Sequence, residues 1–170
     1  MFRILVAPHP ILRQKAIAIN EVSQSEINIS INMLNLLQKA PGVGLAANQI
    51  GILKKIIVIN IEDKEKKISK KYALFNPNIV FFSKETNIME EGCLSLPEYF
   101  ADIERSDSII IKYIDENNSL IEEKKNGYEA RVLQHEVDHL SGKLFVDYLS
   151  SLKRNKIIKR LQKLKKIGEI

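Results

Sequence analysis

His135 and His139 are two of only three histidines in a 170-residue chain, and they stand four residues apart in His135-Glu136-Val137-Asp138-His139. Residues i and i+4 share one face of a helix, so both imidazoles can reach a single metal ion, and Glu136 is placed to act on water bound to it. A catalytic centre of the zinc type takes three protein ligands and keeps a fourth position for water. No histidine follows His139, and the only acids beyond it are Asp147 and Glu169. Cys93, the single cysteine, lies in Glu91-Gly92-Cys93-Leu94-Ser95. It has the best remaining chemistry for the third ligand, because a thiolate binds borderline-soft divalent ions strongly. The ordinary alternatives are a solvated helix face for the histidines and a small buried hydrophobe for the cysteine. Leu133, Val137 and Leu140 mark the motif helix as partly buried and argue against the first.

These residues need elements to carry them. Val132, Leu133, Val137 and Leu140 recur at helical spacing, Asn126 can cap and Gly142 can stop, which predicts the motif helix over about 127–141. Ser23-Gln24-Ser25-Glu26 has the form of a capping box, followed by Ile27, Ile31 and Leu34 on one face until Ala40-Pro41-Gly42, which predicts a first helix over about 24–39. Gly42-Val43-Gly44-Leu45-Ala46-Ala47-Asn48-Gln49 is a strand or a loop whose glycines permit close approach of another backbone. The β-branched run 56–61 reads as a strand, and the charged stretch 62–71 as a solvated hairpin or loop. Further short strands are expected over 72–75, 78–83, 86–90, 100–104 and 109–113, with turns at Asn76-Pro77 and 115–118. The order argues for an α+β fold, not a repeating βαβ layout: short antiparallel sheets around a central helix bearing the motif, an N-terminal helix and a basic C-terminal helix.

Composition bounds the rest. The chain is 45% hydrophobic and 28% charged, ordinary for a globular domain, and no apolar run is long enough to span a bilayer. A lone cysteine makes no internal disulfide, and the first residues are too short an apolar run for a signal peptide, so the expected location is cytoplasmic with no membrane partner. The net charge of +5 is unevenly placed: residues 151–170 hold eight Lys/Arg against one acid, Glu169, leaving –2 on residues 1–150. Leu152, Ile157, Ile158, Leu161 and Leu164 recur near helical spacing among these cations. The expectation is a catalytic domain over 1–150 with an appended basic amphipathic helix over 151–170, which either docks its apolar stripe or offers its charge to phosphate-rich RNA.

Gly42 to Gln49, Glu91 to Ser95 and Gln134 to His139 resemble the three signature motifs of the peptide deformylase family, in order and approximate spacing. The likeness extends from Pro10-Ile11-Leu12-Arg13 through Phe145-Val146-Asp147-Tyr148-Leu149 into the tail. The resemblance implies an enzyme that removes the formyl group from the N-terminal formylmethionine of new polypeptides and releases formate. It implies Cys93, His135 and His139 as ligands of one divalent ion, Fe2+ in the cell, with Zn2+, Ni2+ or Co2+ able to substitute. Glu136 becomes general base and then acid, taking a proton from the water the metal activates and returning it to the departing amine. The side-chain amide of Gln49 and the backbone N–H of Leu94 become the oxyanion donors. Gly42, Val43, Gly44, Glu91 and Gly92 are the expected substrate-binding residues, and Arg105 pairs with Glu91 to brace the Cys93 loop. Val43, Met89 and Val132 are candidates for an apolar methionine pocket, which Arg131 could modify unless it turns outward. N-formylmethionyl nascent peptides are the expected substrate, the ribosome a partner for the basic helix, and DNA is not expected. Two other readings compete: an HExxH metallopeptidase of different specificity, and a non-enzymatic ribosome- or RNA-binding module with a structural metal.

Overall fold

The computed structural model describes residues 2–168 apart from Lys64 and Lys66, so Glu169, the one acid of the tail, lies outside the described residues. Helix α1 (Gln24–Leu37) starts as expected: Glu26 accepts a hydrogen bond from the Ser23 N–H at 3.1 Å, and the Ser23 hydroxyl accepts one from the Ser25 N–H at 3.2 Å. Its buried face is rotated from the expected one. Ser30, Met33 and Leu37 point to the core, Ile27 and Leu34 are half-buried, and Ile31 is exposed.

The segment after α1 forms a short strand β1 (Gly44–Ala46) and a 3-10 turn over Ala47–Ile50. Strands β2 (Ile56–Asp63), β3 (Ile68–Phe82), β6 (Ser108–Ile114) and β7 (Leu120–Asn126) join β1 in an antiparallel sheet of order β1-β2-β3-β6-β7. Strands β4 (Thr86–Cys93) and β5 (Leu96–Ser106) form a separate two-stranded sheet. The continuous apolar run of β2 is explained by burial on both faces. Ile57 and Ile59 pack with Leu133 and Leu140 of α2 (Gly127–Leu140), while Ile56 and Val58 pack with Met33 and Leu37 of α1.

Two expectations about strands are corrected. Asn76-Pro77 is not a turn: β3 continues through it, with a register shift against β6 and Asn76 at φ +51°. The Asn76 side chain accepts from the Ile19 N–H at 2.8 Å and donates to the Ile19 carbonyl at 2.7 Å, tying the N-terminal segment to the bulge. Strand β7 lies where no strand was expected. Its charges sit on the outer edge of the sheet, where Lys112 of β6 pairs with Glu122 at 2.8 Å.

Asn126 occupies the position before α2 but makes no side-chain capping bond, against expectation. Gly142 ends the helix at φ +74°, and a Cβ there would also lie 2.4 Å from the Arg13 carbonyl oxygen. The basic helix α3 (Ser151–Lys166) buries Leu161 and half-buries Ile157 and Ile158 in the cluster that holds Leu12, Leu96, Ile103 and Phe145. Leu152 is not part of this stripe; it is exposed.

Candidate metal centre and cleft

Cys93 ends β4, and α2 presents His135 and His139 from one face. His139 Nε2 lies 3.2 Å from Cys93 Sγ and 3.2 Å from His135 Nε2. All three donor atoms fall within 4.8 Å of one another. One sulfur and two imidazole nitrogens at this spacing fit a divalent ion such as iron or zinc.

The next layer fixes His135. Its Nδ1 lies 3.0 Å from Glu91 Oε2, which leaves Nε2 to face the centre. Glu91 Oε1 accepts from Arg105 Nε and from Arg131 Nη1, each at 2.6 Å, and Oε2 accepts from Arg105 Nη2 at 3.0 Å. Arg105 continues to Asp138 at 2.9 Å and lies over the Tyr148 ring. The Glu91–Arg105 pair therefore exists, and it is buried, not superficial. Arg131 does not turn outward; it lines the cleft, buried and bonded to Glu91, the Ile103 carbonyl and Asn87.

Burial disfavours the Glu91 charge, but His135 and Arg105 outweigh it and hold the carboxyl at about 2. Burial pushes the carboxyl of Glu136 up to about 7. Burial works against protonation of both imidazoles. At His135 the Cys93 sulfur and Glu91 overcome it and raise the affinity for a proton; at His139 burial and the neighbouring His135 lower it. Glu136 Oε2 and His139 Nδ1 are buried without a hydrogen-bond partner.

A cleft of about 570 Å³ opens onto this centre. Gly42, Val43, Gly44 and Gln49 form one side, Glu91, Gly92, Cys93 and Leu94 another, and Val132, His135 and Glu136 come from α2. The structure thus brings together every expected ligand, acid and glycine, with His139 behind the cleft wall. Val43 and Val132 line the cleft, whereas Met89 stands 41% exposed on β4 and does not. Both oxygens of Glu91 are occupied, so this expected substrate-binding residue faces the cleft with no free carboxylate lone pair in its two ion pairs and histidine bond. Gln49 is buried, accepts from the Ala46 N–H at 2.9 Å, and aims Nε2 at Ser95 Oγ (3.1 Å) and Cys93 Sγ (3.6 Å). Gly44 has no room for a side chain: a Cβ would lie 2.4 Å from Glu136 Oε1.

Sequence reasoning passed over Ser95, Asp138 and Tyr148. Ser95 and Asp138 sit inside the two short motifs, so their positions were a signal; Tyr148 had only its place in the stretch Phe145 to Leu149 that extends the family likeness. Tyr148 donates to Asp138 at 2.8 Å and backs the Arg105 network.

A sequence model of the family described as Polypeptide deformylase matches residues 1–155. A peptide deformylase of Rhizobium meliloti is 38% identical over 163 residues, covering 96% of this chain and 93% of that protein. The crystal structure of peptide deformylase from Ehrlichia chaffeensis superposes with a TM-score of 0.92 at 34% identity, covering 100% of this chain and 99% of that one. The same enzyme in complex with actinonin gives 0.90 at 36% identity, with 96% of each chain covered. Whole-chain similarity in both sequence and fold, joined to a cysteine and two histidines converging beside a cleft, shows that this chain belongs to the polypeptide deformylase family.

Proposed function

We propose that Cys93, His135 and His139 hold one divalent ion and that Glu136 carries the proton in hydrolysis of the formyl group from formylmethionyl nascent peptides. The convergence of the three donor atoms beside the cleft carries this reading. A divalent ion bound there acidifies water and polarises the formyl carbonyl. Water adds to the formyl carbon, the C–N bond breaks, and formate and a free amine leave. Glu136 has a buried oxygen with no partner and so an open acceptor position, suited to taking the proton from water and returning it to the amine. Gln49, its oxygen tied to Ala46, holds Nε2 beside Cys93 Sγ, and a developing oxyanion would draw that N–H from the sulfur, with the Leu94 N–H as the second donor.

β1 is an end strand of its sheet, and Val43 and Gly44 line the cleft, so a peptide can lie beside it by strand addition. Gly92 gives the opposite wall its closeness, and Val43 and Val132 offer apolar surface to the methionine side chain. Gly44→Ala should displace the Glu136 carboxylate and lower kcat for formate release by about ten- to a hundredfold, with metal content unchanged. Parental kcat in that variant would show that Glu136 does not need its observed position.

The donor set does not discriminate among ions; we assign Fe2+ as the cellular metal, replaceable by Zn2+, Ni2+ or Co2+, to be checked by metal content after anaerobic purification. The catalytic unit is residues 1–150, and α3 is an appended helix that docks through Leu161. Its exposed Lys156, Lys159 and Lys163 favour a ribosomal RNA surface, and with it a cytoplasmic site of action. Among the described residues no helix is long and apolar enough to cross a membrane. Reversing these three lysines to glutamate should weaken cosedimentation with ribosomes at low salt and leave deformylation of a short peptide intact. Equal cosedimentation would remove the ribosome from the reading.

The decisive experiment on the activity is formate release from a formyl-Met peptide by metal-loaded protein. No release would overturn the proposal in favour of the peptidase or RNA-binding readings.

A further inference from the structure

Arg131 has no part in the chemistry above, yet it is 3% exposed and bonded on three sides. It stands one helical turn before His135, on the same face of α2 as the two histidines. Nη1 donates to Glu91 Oε1 at 2.6 Å and to the Ile103 carbonyl at 2.9 Å; Nη2 donates to the Asn87 carbonyl at 2.8 Å and to Asn87 Oδ1 at 2.5 Å. One guanidinium therefore ties α2 to β4 at two points and to β5 at a third. Glu91 lies two residues from Cys93, so the bond from Arg131 to Glu91 is a cross-link between the element that supplies the sulfur and the helix that supplies both imidazoles.

Arg105 also holds Glu91, but it comes from β5 and reaches α2 at Asp138, beyond His135, at 2.9 Å. Arg131 is the cation that reaches Glu91 from α2 itself. A planar guanidinium presents five N–H donors in a rigid fork, against three on an ammonium, and so can meet these four fixed acceptors together. Burying a guanidinium here carries a desolvation cost that an apolar side chain would not, and four hydrogen bonds to β4 and β5 offset it.

We infer that Arg131 is a positioning residue for the metal centre: it clamps the β4–β5 hairpin onto α2 and fixes Glu91 against His135, and so governs how firmly the centre keeps its ion. This rests on Cys93, His135 and His139 being the ligands. A residue that only stabilises the fold would change the unfolding midpoint and leave ligand geometry alone. A positioning residue moves the metal itself.

The test uses the full chain as Arg131→Met, Arg131→Lys and, as control, Cys93→Ser, each loaded with Co2+. Loss of cobalt to excess chelator and the visible spectrum are followed beside kcat and KM. Arg131→Met should release cobalt about tenfold faster, with shifted visible bands and a fall in kcat larger than any rise in KM. Arg131→Lys, which keeps the charge but reaches fewer acceptors, should fall between Met and the parent. If Arg131→Met does not fold, the Lys variant decides: release about threefold faster than the parent supports the clamp. Parental release and spectrum in the folded variants, with Cys93→Ser losing its metal, would overturn the inference alone. Parental retention by Cys93→Ser would overturn the ligand assignment and this inference with it.

Discussion

Glu136→Ala and Glu136→Gln should each cut formate release from a formyl-Met peptide by about 10²- to 10⁴-fold in kcat while the protein keeps its metal. The size of the effect follows from the position of the carboxylate. It lines the cleft from α2, directly after the ligand His135, with one oxygen buried and free of any hydrogen bond. Glu91, which also lines the cleft, cannot replace it, because both of its oxygens are committed to Arg105, Arg131 and His135. Substrate still meets Gln49, Val43 and Val132, so KM should change little. The same buried carboxylate costs folding free energy, since burial disfavours its charge. Glu136→Gln should therefore be as stable as the parent or more so in urea unfolding, while losing activity. A metal-loaded variant that keeps parental kcat would remove Glu136 from the proton transfer. A variant that loses metal together with activity would show that its role is to support the ligands.

What could be read without a structure followed the range of the interaction. The pairing of His135 with His139 is local, because helical geometry alone puts i and i+4 together. Cys93 is 42 residues from His135, and only ligand chemistry and the lack of rivals pointed to it. Gln49 carried no local sign and needed the family resemblance, since a lone glutamine reads as surface. Burial was the least legible quantity. From the helix pattern alone Arg131 could modify the pocket or turn outward, and only the closure of β4 and β5 over it decides; the depth at which Glu91 and Arg105 pair is set by the same closure. Strand β7 was hidden by its run of charges, which suit an edge strand, and Asn76-Pro77 imitated a turn where Asn76 in fact anchors Ile19 across a bulge. In each case the local signal was not enough, because the outcome depended on a partner distant in the chain.

Glu91→Ala tests the part of the site that was least visible, and it should be the most damaging single change to the scaffold. Glu91, Arg105 and Arg131 are 6%, 5% and 3% exposed, so water cannot replace the lost partner. Removal leaves two guanidinium groups close together, with only Asp138 to neutralise Arg105. It also deprives His135 Nδ1 of its acceptor. Breaking a buried ion pair on one side costs about 3–5 kcal/mol, a large part of the roughly 5–15 kcal/mol that holds a domain folded. Metal affinity should fall by about ten- to a hundredfold, because the imidazole is no longer oriented. Both effects can be read on the same protein, by urea unfolding at fixed metal load and by competition with a chelator. The combination Glu91→Gln with Arg131→Met removes one charge of each sign and leaves the Arg105–Asp138 pair intact. It should be less destabilised than the sum of its single variants, the non-additivity expected of groups in one network. Strict additivity, or a loss below about 1 kcal/mol for Glu91→Ala, would mean that the cluster is solvated enough to act as a surface pair, and His135 would then owe its orientation to packing against Phe145.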